Sequence, residues 1–306
     1  MCAAINGAAA DPVRLVLVTG HAFGIRAFEG IFASSAFLDG NITVSLMIGL
    51  DDSRAGATVG FSSLSRLAAE QGTPYIGTSD GRLSSLAGRI RDIGPAYLLV
   101  IGWSYLVGTD ILSIPTAGSI GMHPSPLPLG RGQAPIPWTI IKGLKRTALS
   151  VFFLAEAADA GPVIARYDLD VRGNETSASL FYRVGQVHFT AGLELAERIG
   201  GGAVTAQAQD EAAVTRWPRR RPADGEIKDT MTTATIEALV RALLGPYPRA
   251  FAWVGADRVA IRGVEPAQCP PPAAGYPDRS GPGARRRIPF RCADGLVYLL
   301  PDDTDG

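Results

Sequence analysis

Ala96-Tyr97-Leu98-Leu99-Val100-Ile101-Gly102 is the stretch that decides how the chain folds. It is apolar on both alternating faces and closed by a glycine, so it predicts a strand buried from both sides, as in the middle of a parallel sheet. A second such run, Val13-Arg14-Leu15-Val16-Leu17-Val18-Thr19 before Gly20, predicts the first strand. Between the two, residues 23–37 carry Phe23, Ala27, Phe28, Ile31 and Phe32 at the spacing of one helix face. Residues 42–48 alternate like a strand, 64–71 and 81–93 read as helices, and Tyr75-Ile76 is a brief strand. Strands alternating with helices predict an α/β fold, a doubly wound and mostly parallel sheet whose ligands bind beyond the carboxyl ends of its strands. Downstream, 150–155 and 163–169 read as two further strands about a Gly-Pro turn, and 175–199 as a long amphipathic helix closed by Gly200, Gly201 and Gly202.

Composition changes after that glycine cluster. Residues 203–230 are polar and turn-rich, 234–244 read as a helix, and 251–254, 258–264 and 296–300 as short strands. Such a pattern predicts a smaller, mostly β, OB-like domain. The division expected is therefore 1–203 for a catalytic domain and 204–306 for the C-terminal one. Residues 266–287 hold six prolines and three glycines without periodicity and read as a long loop.

The chain has 306 residues, 46% of them apolar, with 29 Lys and Arg against 29 Asp and Glu, which excludes a disordered or highly charged class. The zero net charge is not two opposed halves cancelling: residues 1–200 hold 15 basic and 16 acidic side chains, residues 201–306 hold 14 and 13. Neither half is a basic nucleic-acid surface, so nucleic acid is an unlikely partner. The longest apolar run, 96–108, is too short to cross a bilayer, and the first dozen residues carry no basic segment before a long apolar core. Three cysteines, Cys2, Cys269 and Cys292, suit a reducing compartment. These readings together predict a cytoplasmic protein with no membrane partner.

Three histidines occur, His21, His123 and His188. For each the bland reading, a structural or exposed imidazole, starts ahead. His188 in the long helix keeps it; His21, at the carboxyl end of the first strand, lies where ligand loops gather. His123 differs. It sits in Gly121-Met122-His123-Pro124-Ser125-Pro126-Leu127-Pro128-Leu129-Gly130-Arg131-Gly132-Gln133-Ala134-Pro135-Ile136-Pro137-Trp138. The prolines and glycines predict neither helix nor central strand across this segment, but a rigid irregular loop. Rigid loops are how sites hold a general acid or base in place. Further on comes Ala158-Asp159-Ala160-Gly161-Pro162-Val163, an acid on a second turn after a second strand. A lone Asp before Gly-Pro is ordinarily a turn former. Paired with His123 it suggests a carboxylate that orients and charges an imidazole for proton transfer. No Cys/His cluster has metal-ligand spacing, so no metal is expected.

The combination His-Pro-Ser-x-Leu-Pro-x-x-Arg-Gly at 123–132, followed by Asp-x-Gly-Pro-Val-Ile at 159–164, resembles the motifs of the formyltetrahydrofolate-dependent formyltransferases, a family that includes methionyl-tRNA formyltransferase. The resemblance extends over most of the chain. Arg-Arg-Arg-Pro-Ala-Asp-Gly-Glu-Ile at 219–227 and Leu-Val-Arg-Ala-Leu-Leu-Gly-Pro-Tyr-Pro-Arg-Ala-Phe at 239–251 look like the second-domain motifs of its sugar-amine N-formyltransferase branch. It implies a Rossmann-like catalytic domain in which a substrate amine attacks the formyl carbon of N10-formyltetrahydrofolate. His123 and Asp159 would be catalytic. Tyr105, Leu106, Val107, Gly121 and Ala158 would line the folate slot, and Ser125, Arg131 and Gln133 would contact the substrate, a small-molecule amine such as a sugar nucleotide. A homodimer is compatible with this reading.

One position departs from the family pattern. Where the family has an Asn two residues before the His, this chain has Gly121. Loss of one oxyanion donor can cost about 100- to 1000-fold in turnover. Ser104 or Ser125 could stand in, backbone N–H groups and water could suffice on a slower enzyme, or ligand binding could survive without turnover. Methionyl-tRNA formylation and a non-catalytic folate- or nucleotide-binding role are the alternatives to amino-sugar formylation.

Overall fold

The computed structural model describes residues 11–202, 204–267 and 287–302. Cys2, Cys269, Arg285, Arg286 and most of the proline-rich segment 266–287 lie outside them. The chain divides into two compact units, one made of residues 1–131, 148–168 and 183–216, the other of 132–147, 169–182 and 217–306. Compactness thus groups 132–147 and 169–182 with the C-terminal part, whereas the sequence reading places them in the N-terminal domain.

A seven-stranded sheet runs through the first unit. Its strands are β1 (Val13–Thr19), β2 (Ile42–Leu50), β3 (Tyr75–Thr78), β4 (Tyr97–Val100) and β5 (Gly118–His123), then, past the two-residue β6 (Arg131–Gly132), β7 (Arg146–Phe153) and β8 (Val163–Asp170). The order is β3-β2-β1-β4-β5-β7-β8. β1 to β5 pair in parallel, Leu17 facing Met47 on one side and Leu99 on the other, while β7 runs antiparallel to β5 with Ser150 opposite His123. The apolar runs that predicted β1 and β4 divide their side chains strictly by parity. Leu15, Leu17 and Leu99 enter one core, Val16, Val18, Leu98 and Val100 the other. A central strand buried on both faces has this pattern.

Helix α1 (Ala22–Phe32) supplies Ala27, Phe28 and Ile31 to the first core. The helix expected over 23–37 is cut at Ser34, whose hydroxyl caps a short α2 (Ser35–Leu38). Helices α3 (Ser65–Glu70), α4 (Ala87–Ile93) and α5 (Thr109–Leu112) follow, with Ile90 and Ile111 in the second core. Past α6 (Pro135–Ile141) comes α7 (Ser177–Gly200), which packs on α1 at close range. A Cβ at Gly192 would lie 2.0 Å from the Ala27 carbonyl, and one at Gly30 2.1 Å from that of Phe189, so both positions require glycine.

One expectation is corrected here. Part of 121–138 is regular: Gly121, Met122 and His123 end central strand β5, and Pro135 opens α6. The first three residues contain no proline, and proline at the first turn of a helix loses no bond the helix could make. Apart from the two residues of β6, 124–134 is irregular and passes through a cis Leu127–Pro128 peptide.

After the two-residue β9 (Arg216–Trp217), which pairs with β6, the second unit holds α8 (Thr233–Ala242). It packs on an antiparallel sheet of β10 (Ala250–Val254), β11 (Asp257–Pro266), β12 (Ile288–Cys292) and β13 (Gly295–Pro301), in the order β10-β11-β13-β12. Ile236, Leu239 and Val240 of the helix share a core with Ile261, Val297 and Leu299. Strand β12 is not among the strands expected from the sequence, and it contains Pro289. It lies at the edge of the sheet, where a missing N–H costs nothing. No helix among the described residues is long and apolar enough to cross a membrane.

Candidate active site

His123 is the last residue of β5, buried at 8% exposure beyond the carboxyl end of a parallel strand. Its Nε2 lies 2.9 Å from the Gly130 carbonyl oxygen. A carbonyl only accepts, so Nε2 carries the proton and Nδ1 presents its lone pair. That free face of the ring looks toward Asp159, with Nδ1 3.8 Å from Oδ1. The separation is too long for a hydrogen bond and short enough for an ion pair once Nδ1 gains a proton.

Asp159 stands on the turn between β7 and β8 with φ 58°, in the left-handed region that side chains other than Asn and Asp seldom adopt. The turn is tight. A Cβ at Gly161 would fall 1.8 Å from the Phe153 carbonyl oxygen, so no other residue fits there. The side-chain amide of Gln209 donates to the carbonyls of Asp159, at 2.8 Å, and Gly161, at 2.7 Å. Sequence reasoning missed Gln209; it is one polar residue in a polar, turn-rich stretch, and only its partners mark it.

His123 and Asp159 are thus brought together, and the other expected site residues are placed as follows. Tyr105, Leu106 and Val107 follow β4. Leu106 is 80% exposed, Val107 packs on the second core, and the Tyr105 hydroxyl accepts from Arg54 Nη2 at 2.9 Å. Together with Gly81, Leu83 and Asp110 the Tyr105–Leu106 pair lines a cleft of about 300 Å³. Just before them, Trp103 Nε1 is buried with no hydrogen-bond partner. Ala158 is exposed on the Asp159 turn.

Gly121 is buried, and what replaces the missing side chain is Leu154: a Cβ at 121 would meet Leu154 Cδ2 at 2.7 Å. Ser104 is exposed, while Ser125 is wholly buried, its carbonyl accepting from Ser150 Oγ at 2.7 Å and its hydroxyl without a partner. Gln133 is exposed and belongs to the second unit, where its N–H donates to the Trp217 carbonyl.

Arg131 has partners other than those expected of a substrate contact. It is 1% exposed, and its guanidinium bonds Gln209 Oε1 through Nε, at 3.1 Å, and Nη2, at 2.9 Å. Nη1 and Nη2 also grip the Glu211 carboxylate, at 3.2 and 2.7 Å. Arg131 in turn holds the Glu211 carboxyl below its ordinary range. A buried guanidinium requires such pairing, which is why its charge is turned inward.

His21 and His188 take structural roles. His21 Nδ1 accepts from the Phe23 N–H and caps α1, and burial pushes its imidazole down to about 4. His188 Nδ1 bonds the Val184 carbonyl, its ring stacks on Phe23 at 4.4 Å, and burial pushes it down to about 3. Among the described residues no group of three or more His, Cys, Asp or Glu side chains could hold a metal ion.

Residues 62–194, which include both His123 and Asp159, match the family model described as formyl transferase. Several solved structures share the fold. A methionyl-tRNA formyltransferase from Clostridium thermocellum superposes with a TM-score of 0.59 at 21% identity, covering 83% of this chain and 93% of its own. An N-formyltransferase from Helicobacter canadensis, in complex with folinic acid and dTDP-3-aminofucose, gives 0.65 at 14% identity over 95% and 100%. WlaRD, a sugar 3N-formyl transferase crystallised with dTDP and 5-N-formyl-THF, gives 0.66 at 12% identity over 96% and 99%. The fold is therefore the formyltransferase fold, and the stretch that matches the formyl transferase family model, residues 62–194, holds the His123–Asp159 pair.

Proposed function

We propose that the chain transfers the formyl group of N10-formyltetrahydrofolate to the primary amine of a small substrate, with a nucleotide-linked amino sugar as the favoured class. The observation that carries this reading is the pair at the end of β5, an imidazole whose Nε2 proton is committed to Gly130 and whose Nδ1 faces a carboxylate. The amine nitrogen attacks the formyl carbon and forms the new C–N bond. Nδ1 of His123 takes the amine proton, and the Asp159 carboxylate balances the imidazolium charge. Collapse breaks the bond from the formyl carbon to N10, and the proton passes to N10, leaving a formamide and tetrahydrofolate. The folate brings the activated group, so the chain's own residues need only bind, orient and move one proton.

Two features of the segment after β4 fit a folate slot. The cleft after β4 carries exposed Leu106 as an apolar platform, and the buried Trp103 Nε1 nearby in sequence is an orphaned donor of the kind a ligand or water completes. The sugar class is supported by the aminated and nucleotide ligands of the solved neighbours and by the neutrality of both halves of the sequence, since a tRNA surface needs excess basic charge. Leu154 in place of an amide favours a second reading, a slow or non-catalytic folate-binding relative.

Purified protein mixed with formyltetrahydrofolate and a panel of nucleotide-linked amino sugars should release tetrahydrofolate with at least one. Saturable folate binding without release favours the second reading. Formylation of charged initiator tRNA with no sugar activity overturns the substrate class. His123→Ala should abolish turnover and leave the melting temperature nearly unchanged; an undiminished rate refutes the site.

A further inference from the structure

We propose that Gln209 is the positioning residue for Asp159, and that buried Arg131, paired with the exposed Glu211, acts on the reaction through it; the proposal rests on the formyl-transfer reading above. The two Nε2 hydrogens of Gln209 go to the carbonyls on either side of Ala160, those of Asp159 and Gly161. They hold closed a turn whose backbone at Asp159 is left-handed and is not stabilised by glycine's freedom. The amide cannot turn over in place. Its Oε1 accepts from Nε and Nη2 of Arg131, so a flipped amide would set donors against donors and an oxygen against two carbonyls.

Arg131 is itself immobile. Glu211 takes one N–H from each of Nη1 and Nη2, and the backbone N–H of Arg131 donates to the Thr215 carbonyl. The preceding residue, Gly130, is fixed by the Thr215 hydroxyl and accepts the bond from His123 Nε2. Both partners of the reacting pair therefore rest on adjacent residues, His123 directly on Gly130 and Asp159 on Arg131 through Gln209. Their 3.8 Å separation is set by one scaffold. Preorganisation of this kind is worth much in rate, because a displacement of about 1 Å at a reacting group can cost about 10²-fold.

The test is Gln209→Glu, which keeps an acceptor for Arg131 and replaces two donated hydrogen bonds by oxygen–oxygen repulsion. We expect kcat to fall about 10²-fold with the KM for the amine little changed. In an Asp159→Asn background the same substitution should cost less than about 2-fold, because coupled residues are non-additive. A near-wild-type kcat, or the full loss repeated in the double variant, overturns the proposal. Hydrogen exchange at the Ala160 amide, which donates to Ala157 within the turn, is a readout independent of turnover and should accelerate in Gln209→Glu. If exchange accelerates while the unaltered protein formylates nothing, the functional reading fails and the tether stands. Unchanged exchange refutes the tether itself.

Discussion

Acidification from pH 7.5 to 5 should destabilise this protein through two histidines outside the His123–Asp159 pair. Burial pushes His188 down to about 3 and His21 to about 4, from an ordinary value of 6.5. The folded state therefore keeps both imidazoles neutral in a range where the unfolded chain protonates them. Below 6.5 the unfolded chain binds more protons, so stability falls with pH through the window from 6.5 to about 4 and is level above it. At pH 5 a fully enclosed His of this kind loses about 2 kcal/mol. His188 is 1% exposed and should lose all of that; His21 is partly at the surface and loses less, so the pair costs about 2 to 4 kcal/mol. That is a large part of the roughly 5 to 15 kcal/mol of a folded domain. Hydrogen bonds hold the carboxyls of Asp80, Glu211 and Asp294 below their ordinary range, so their contributions are lost only at lower pH and leave this window to the imidazoles. Urea unfolding followed by circular dichroism at pH 7.5, 6.5, 5.5 and 5 measures the slope. His188→Gln, which can still donate to Val184, should remove about half of it or more. Stability at pH 5 within about 1 kcal/mol of that at pH 7.5 would refute the burial argument.

Two further outcomes follow from the site. Gly121→Asn should destabilise by about 1 to 3 kcal/mol through overpacking against Leu154, measured by thermal melting. Adding Leu154→Ala should recover part of that and raise turnover by up to about 10²-fold, the worth of a restored donor; a single variant as stable as the parent shows that Leu154 does not guard the position. Gly161→Ala should unfold the Asp159 turn, with a loss of more than about 1 kcal/mol and of most turnover, because its Cβ would lie 1.8 Å from the Phe153 carbonyl; a functional alanine variant would show that the turn closes otherwise.

The parts of the fold legible in the sequence were those whose cause is local. β1 and β4 are apolar on both parities because both faces are covered, and α1 shows its buried face at helical spacing. His123 and Asp159 were legible as a pair because Asp159 sits on a turn marked by Gly-Pro and His123 directly precedes a proline-rich one, and turn chemistry is written in neighbours. What escaped was written at long range. Gln209 lies 50 residues from Asp159 and 78 from Arg131, and nothing near it in sequence records those contacts. The family resemblance implies Arg131 as a substrate contact; burial at 1% exposure turns its charge toward a carboxylate of its own chain. The end of β5 was hidden because prolines after His123 were allowed to speak for the residues before it.

The two compact units are not consecutive. The chain passes from one to the other after residues 131, 147, 168, 182 and 216. A cut at 203 would leave α6 without α8, against which it packs, and would strand Ile141 outside the core it shares with Ile236 and Leu239. The units therefore are not interchangeable cassettes. Grafting the C-terminal sheet of another protein onto this one would mean matching three separate pieces of chain, so this unit is poorly accessible to recombination and is better altered by point changes in place.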